Sequence, residues 1–294
     1  ASQLNFSIDP KTLESIYKNR ERLKIISAER VQEELFKLMS CPRPSTGLTL
    51  MWQTHLLDLV LPEVSKLEGV EEVYGHQHKD NLIHTFKVVD NIAERSDKVL
   101  LRLAGLFHDI GKPQTRKKEN DRISFHGHEH VGQKISRSIA KMLKLSVRER
   151  HILEDMVRWH LRPGYLSNFK NPSERSIFRY FRDAQEEAAS ILVLSLADQR
   201  ATRGPLTTRE DQEHHEKIVT MLLKRYFEKK REKPLVRLIN GYDLIEGLKL
   251  KPSPLFAKIL REVEEQQVLG KITTKKEALE LAGDRRPGQL QQRG

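Results

Sequence analysis

The stretch Val99-Leu-Leu-Arg-Leu-Ala-Gly-Leu-Phe-His-Asp-Ile-Gly-Lys112 decides how the chain folds. From Val99 to Phe107 nearly every residue is apolar, so a helix here is hydrophobic on all sides and belongs at the centre of the molecule. It ends abruptly in His108 and Asp109. A buried carboxylate is costly unless it is paired or bound to a cation. Gly111 supplies a C-terminal stop, and Lys112 sets a positive charge beside the pair. An adjacent His-Asp is a modest signal alone, and its meaning rests on the flanking segments.

On the N-terminal side, Leu82, Ile83, Phe86, Val89 and Ala93 predict an amphipathic helix that carries His84. On the C-terminal side, a charged loop from Pro113 to Arg122 leads to His126-Gly-His-Glu-His130. A helix follows with Val131, Ile135, Ile139 and Leu143 aligned. Ser146-Val-Arg-Glu149 is a capping box for the next helix, which ends at Trp159-His160 and is stopped by Pro163. Ala188 to Ala197 is a second almost wholly apolar helix, ending in Asp198.

Further out, Asp9-Pro10 reads as N-cap and first helical residue, with Ile8 and Leu13 as a hydrophobic staple and a helix to about Ile25. Ser27 opens a helix with Val31, Leu35, Leu38 and Met39 on one face. Cys41 to Gly47 is a break, Leu48 to Val60 an apolar helix interrupted at Pro62, and Ser65 to Gln77 a connector. Beyond Arg203 the chain is strongly charged. Asn240 to Pro254 is punctuated by Pro and Gly, Leu255 to Leu269 is a last helix, and residues 283–294 read as disordered. No strand pattern persists, so the fold class is all-α.

Composition narrows the setting. Of 294 residues, 37% are hydrophobic and 32% charged, which suits amphipathic helices with charged outer faces. The net charge of +11 favours a polyanionic partner, nucleic acid ahead of membrane. A single cysteine, Cys41, excludes an internal disulfide framework, and no apolar run is long enough for a membrane span. A cytoplasmic location is expected.

His84, His108, Asp109, His128, His160 and Asp198 all lie on or at the ends of apolar helices. Two imidazoles and two carboxylates, from His84, His108, Asp109 and Asp198, form a mixed nitrogen and oxygen donor set for a divalent ion such as Mn, Ni, Co, Fe, Mg or Zn, one or two per chain. A structural zinc site more often uses Cys, and Cys41 alone cannot build one. The donors lie on separate helices, and a helical bundle is the architecture that can bring them together.

This ordered set, a His, then His-Asp, then a distant Asp, resembles the motif of the HD superfamily of metal-dependent phosphohydrolases. His128 and His160 match the extra histidines of members that hold a second metal or a substrate phosphate. His126 and His130 match nothing in that motif. The flanks resemble the tRNA nucleotidyltransferase/poly(A) polymerase family. The matching segments include Phe6-Ser-Ile-Asp-Pro10, Ile26-Ser-Ala-Glu-Arg-Val-Gln-Glu-Glu-Leu35, Leu61-Pro-Glu-Val64 and His78 to Asp90. Asp243-Leu-Ile245, Glu262 to Gln267 and Gly270 to Leu279 resemble that family's C-terminal segment. CCA-adding members carry a nucleotidyltransferase head with a Gly-Gly turn and an Asp-x-Asp pair. Neither occurs in this sequence, which starts inside the family's Arg-Phe-Ala motif, so a truncated product that does not polymerise nucleotides is expected.

The resemblance implies an RNA-binding helical segment at 1–74, an HD phosphohydrolase domain at 75–205 and a helical tail at 206–282. It implies metal-assisted phosphoester hydrolysis by a site in which Asp109 and Lys112 act beside the metal ligands. His128 and His160 are further catalytic candidates. The expected substrates are nucleotides or RNA 3′ ends carrying 2′- or 2′,3′-cyclic phosphates. Lys112, with Arg116 in addition, is placed to stabilise phosphoryl charge. Lys18, Arg20, Arg22 and Lys24, with Lys224, Arg225, Lys229, Lys230 and Arg231, are expected to hold a tRNA backbone through salt-sensitive contacts. Two other readings fit the same residues. One is a catalytically silent tRNA-binding body of a CCA-adding enzyme. The other is an HD hydrolase of signalling nucleotides, which leaves the flanking resemblance unused.

Overall fold

The computed structural model describes residues 1–74, 77–119, 122–202, 208–231 and 235–284. Its architecture is helical, with two short hairpins. The chain runs α1 (Pro10–Asn19), a 3-10 turn, α2 (Ala28–Ser40), α3 (Pro44–Gln53), α4 (Leu57–Val60) and α5 (Pro62–Ser65). The antiparallel pair β1 (Glu71–Tyr74) and β2 (Gln77–Asp80) leads into α6 (Asn81–Ala93), α7 (Val99–Phe107) and α8 (Lys112–Thr115). A second antiparallel pair, β3 (Lys117–Glu119) and β4 (Arg122–Ser124), precedes α9 (His128–Met142), α10 (Val147–Trp159) and α11 (Arg162–Ser167). Then come α12 (Glu174–Ala184), α13 (Ala188–Ala201), α14 (Arg209–Arg231), α15 (Gly241–Leu248), α16 (Leu255–Val268) and α17 (Lys275–Gly283).

The chain divides into two compact units, one of residues 1–170 and 184–224, the other of 171–183 and 225–294. In the first unit α7 lies at the centre, as its all-round apolar surface requires. It packs against α6, α10, α13 and α2, and α9 covers α10. Leu101 to Phe107 are buried without exception. Four helix starts follow from local chemistry: Asp9 accepts from Thr12 N at 3.2 Å, Ser27 from Arg30 N at 3.4 Å, and Asp80 from Leu82 N and Ile83 N. Ser146 and Glu149 close the capping box of α10 in both directions.

Arg102 is the one charged residue of the buried helix. Its Nη1 donates to the carbonyls of Met39 and Cys41 at the end of α2, the latter at 3.0 Å. Nε donates to Ser96 O at 2.9 Å and Nη2 to Ala93 O at 3.4 Å, just past α6. One guanidinium thus satisfies carbonyls that two helix C-termini leave without partners. Ser45 adds a second tie between the same segments, donating through N and Oγ to the two carboxylate oxygens of Asp90 on α6.

The second unit has its own apolar core of Ile239, Leu244, Ile259, Val263, Ile272, Ala278 and Ala282. Capping boxes at Asn240 and Thr274 open α15 and α17. The buried Glu265 carboxylate of α16 accepts hydrogen bonds from Arg175 and Arg179 of α12.

The structure departs from the sequence reading in several places. The segment expected to break at 41–47 resumes its helix at Pro44, whose fixed φ suits a first helical turn. The connector at 65–77 and the charged loop at 113–122 contain the hairpin strands, which are too short to show an alternating pattern. Gly111 is no left-handed stop: its φ is −80° and it caps α8. Asp198 lies inside α13, not at its end. Leu255–Val268 is not the last helix, since α17 follows. The expected disorder at 283–294 falls, from residue 285 on, outside the described residues. Among the described residues no helix is long and apolar enough to cross a membrane.

Candidate metal centre

Five helices of the first unit deliver the polar residues to one place. His84 sits in the first turns of α6, and its Nε2 lies 2.8 Å from Asp198 Oδ1 on α13. His108 caps α7, with Nε2 3.1 Å from Asp109 Oδ2 and 3.8 Å from Asp198 Oδ1. His128 begins α9 and His160 caps α10, and their Nε2 atoms face each other at 3.3 Å. Asp109 Oδ1 is 3.4 Å from His128 Nε2, and Asp109 Oδ2 is 2.8 Å from Lys112 Nζ. His84, His108, Asp109, His128 and His160 are all buried, and Asp198 is partly exposed.

Backbone carbonyls set the tautomers. Nδ1 of His108 lies 2.8 Å from Gly105 O, that of His128 2.8 Å from Phe125 O, and that of His160 2.8 Å from Val157 O. A carbonyl only accepts, so Nδ1 carries the proton in each neutral ring and the lone pair lies on Nε2. Three imidazole lone pairs therefore point into the cluster. His108 Nε2 is buried and makes no hydrogen bond of acceptable geometry. The lone pairs of His128 and His160 oppose each other at 3.3 Å, an arrangement that a proton or a cation between them relieves.

The electrostatics point the same way. Burial pushes the His160 imidazole from its ordinary 6.5 to about 3, with His108 and His128 adding to the effect. Burial works against ionising Asp109, yet His108, Lys112 and His128 hold its carboxyl well below the usual range. Burial lowers His108, but the two nearby carboxylates more than offset that and raise it. The cluster keeps an anionic carboxylate and a neutral His160 near neutral pH, the protonation states that metal ligands need.

His84, His108 and Asp109 form one group of donor atoms within 4.8 Å of one another, and Asp109, His128 and His160 form a second. Asp109 is common to both. The donors are imidazole nitrogen and carboxylate oxygen, with no sulfur, and they fit a borderline or hard divalent cation.

The pKa of His160 has a measurable consequence. Between pH 6.5 and about 3 the unfolded chain binds a proton at this position and the folded one does not. Stability of the metal-free protein is therefore expected to fall as pH drops through that window. Denaturant titrations at several pH values should show a shallower slope in His160→Gln, and an equal slope in both proteins would contradict the assignment.

Several supporting residues carried no sequence signal. Asn81 Oδ1 accepts from Lys112 Nζ at 3.3 Å, and the Phe125 ring lies 5.4 Å from that ammonium. Gly111 allows close approach: a Cβ there would stand 2.1 Å from His128 O and 2.7 Å from Gly132 N. Backbone atoms cannot yield as a flexible side chain can. Gly111→Ala is expected to cost about 3 kcal/mol and to shift the start of α9, weakening metal binding with it. Thermal melting and metal titration check this, and an unchanged Tm with unchanged affinity would refute it.

The remaining candidates lie elsewhere. Arg116, His126 and His130 are exposed, and His130 has Glu129 3.6 Å away. Lys18 pairs with Glu14 and Lys24 with Glu21, Arg20 lies over the Tyr17 ring, and Arg22 is exposed. In the charged helix α14, Arg225 pairs with Glu174, Lys229 lies near Phe178 and Lys230 near Tyr226, while Lys224 and Arg231 are exposed.

Three family models match the chain. They are the probable RNA and SrmB-binding site of polymerase A at residues 5–67, the HD domain at 81–203, and a tRNA nucleotidyltransferase domain 2 at 187–282. An A-adding tRNA nucleotidyltransferase of Deinococcus radiodurans is 29% identical over 94% of this chain and 63% of its own length. A CC-adding tRNA nucleotidyltransferase of Thermus thermophilus is 31% identical over 95% of this chain and 62% of its own length. A multifunctional CCA protein of Vibrio cholerae is 32% identical over 48% of this chain and 36% of its own length. The chain thus spans less than two thirds of the relatives it matches. On these matches the chain carries an RNA-binding segment of polymerase A type, an HD domain and a tRNA nucleotidyltransferase domain 2, and it is similar over nearly all its length to part of the tRNA nucleotidyltransferases named above.

Proposed function

We propose that this chain is a metal-dependent phosphohydrolase that works on RNA 3′ ends or on nucleotides bearing 2′- or 2′,3′-cyclic phosphates. The observation that carries the reading is the shared carboxylate. Asp109 belongs to both buried donor groups, beside a His108 Nε2 that makes no hydrogen bond. His84, His108, Asp109 and Asp198 would hold a divalent ion, and His128 and His160 with Asp109 a second ion or a phosphate oxygen. When bound, the ion supplies Lewis acidity toward a phosphoryl oxygen and toward water.

The chain's own residues do the rest. Asp109 and Asn81 hold the Lys112 ammonium at the edge of the cluster, where it can balance charge on a phosphoryl oxygen. Burial of His84, His108 and His160 limits water and strengthens each charge interaction. In the net reaction the water oxygen bonds to phosphorus, the bond from phosphorus to the ribose oxygen breaks, and a proton passes to that oxygen.

RNA is the proposed partner, because the first segment matches an RNA-binding model and the relatives named above act on tRNA by their names. The basic residues at 18–24 and 224–231 are proposed to contact its backbone, with binding that weakens steeply as salt rises. Domain limits at 74, 205 and 282 are proposed on the order of the family matches, and they differ from the division into compact units of residues 1–170 with 184–224 and 171–183 with 225–294.

A substrate panel tests the reading. 2′,3′-cyclic AMP, 2′-AMP, an alarmone and a cyclic dinucleotide would each be offered with Mn, Ni, Co or Mg. Turnover of the first two is expected. Turnover of only the signalling nucleotides would move the assignment to that class. No turnover of any of them, with tRNA binding intact, would leave an RNA-binding body without hydrolase activity.

A further inference from the structure

Beside the metal cluster lies an aromatic and cationic group that the hydrolytic reading does not use. Arg158 Cζ stands 4.4 Å from the Trp159 ring centroid, and Arg162 Cζ stands 4.9 Å from it. Trp159 is partly exposed, and Tyr165, one turn further along α11, is 56% exposed. The position of this group follows from two parallel contacts between α9 and the end of α10. His128 meets His160 at 3.3 Å, and the next residue, Glu129, meets Arg158 at 3.6 Å. Trp159 immediately precedes His160, and Arg158 meets Glu129, the neighbour of His128, so the indole and its two guanidiniums lie at the same ends of α9 and α10 as the Nε2 cluster.

From this we infer that Arg158, Trp159 and Arg162 form the platform that takes the nucleobase of the substrate. The inference rests on the nucleotide reading of the site given above. Two guanidiniums against one indole present flat, polarisable faces on which a base can stack, and the cation–π contacts hold those faces in order. Glu129 is the acidic group paired with Arg158, and it steadies that side chain. A base on this layer places its own ribose phosphate toward His128, His160 and Lys112. Stacking of this kind accepts any base, so the platform selects nucleotides over simple phosphate esters without choosing among bases. The indole thereby supplies affinity and positioning, and the chemistry stays with the buried cluster.

Trp52 and Trp159 are the two tryptophans of the chain, so Trp52→Phe leaves Trp159 as the sole reporter. In that background, metal-free protein would be titrated with 2′,3′-cyclic AMP, AMP, ribose 5-phosphate and inorganic phosphate while indole fluorescence is followed. Saturable quenching by both nucleotides is expected, with ribose 5-phosphate at least about tenfold weaker. Calorimetry should show Trp159→Ala losing about tenfold in nucleotide affinity, Trp159→Phe keeping most of it, and Arg162→Ala losing part. Far-ultraviolet circular dichroism confirms that each variant is folded. No quenching, or ribose 5-phosphate binding as tightly as the nucleotides, overturns the platform. Quenching without hydrolysis under any metal would sink the hydrolase reading and leave the platform standing. Hydrolysis with a KM unchanged in Trp159→Ala would do the reverse.

Discussion

Asp109→Asn is expected to strip the chain of tightly bound divalent metal and to lower phosphoester hydrolysis roughly 1,000-fold or more, the effect of losing about 4 kcal/mol of transition-state stabilisation. The position matters more than any neighbour because both donor groups use it. It also faces three basic side chains: Lys112 at 2.8 Å, His108 at 3.1 Å and His128 at 3.4 Å. Asn keeps the shape and removes the charge, so packing around α7 is preserved while the anionic ligand is lost. Replacing Asp109 also changes the surroundings of a buried ammonium, which by itself lowers stability. The double variant Asp109→Asn, Lys112→Met removes both charges and separates loss of fold from loss of metal. Metal content after dialysis and hydrolysis rates on the same samples provide the readout. A single variant that keeps full metal content and activity would remove Asp109 from the site.

Arg102→Leu is expected to be the most destabilising change away from the cluster, by about 4 kcal/mol, since a buried carbonyl left without a donor costs about 1–3 kcal/mol. The guanidinium serves Met39, Cys41, Ala93 and Ser96, which lie on two chain segments that meet at α7. Leu fills the apolar volume but offers none of those donors. Lys should rescue little, because one ammonium cannot reproduce a planar fork that reaches carbonyls on opposite sides. Denaturant melts give the answer directly. A Leu variant within about 1 kcal/mol of the parent would show that the carbonyls find water or shift at little cost.

Much of this was legible in the residues. The all-apolar run at 99–107 announced the central helix, and the polar pair at its end announced the site. The cap residues Asp9, Ser27 and Ser146 marked helix starts, because capping depends on the nearest three or four residues alone. What stayed hidden depends on residues far apart in the chain. Arg102 reads as an interruption of an apolar run, and its four carbonyl partners lie up to 63 positions away. Asn81 and Phe125 look like ordinary helix-start and loop residues until Lys112 is placed between them. Gly111 gave the right residue for the wrong reason: the chain needs a missing Cβ against α9, not a left-handed turn. The strands at 71–80 and 117–124 escaped because runs of three or four residues carry too few positions to reveal a period. The gathering of His84, His108, Asp109, His128 and His160 was legible as an order of residue types, whereas Asp198, expected beside them as a ligand, belongs to neither donor group. The sharing of one carboxylate between two groups, and the carbonyls that fix each imidazole, required the coordinates.

The buried imidazoles and carboxylates are proposed to hold a divalent ion that serves phosphoester hydrolysis. The most direct test measures metal content and 2′,3′-cyclic AMP hydrolysis on one preparation, as purified, after chelation, and after Mn, Ni, Co or Mg is returned. Near-stoichiometric metal, loss of turnover with the metal, and recovery of both together are expected. A folded protein that takes up no divalent ion, or that hydrolyses equally well without one, would contradict it.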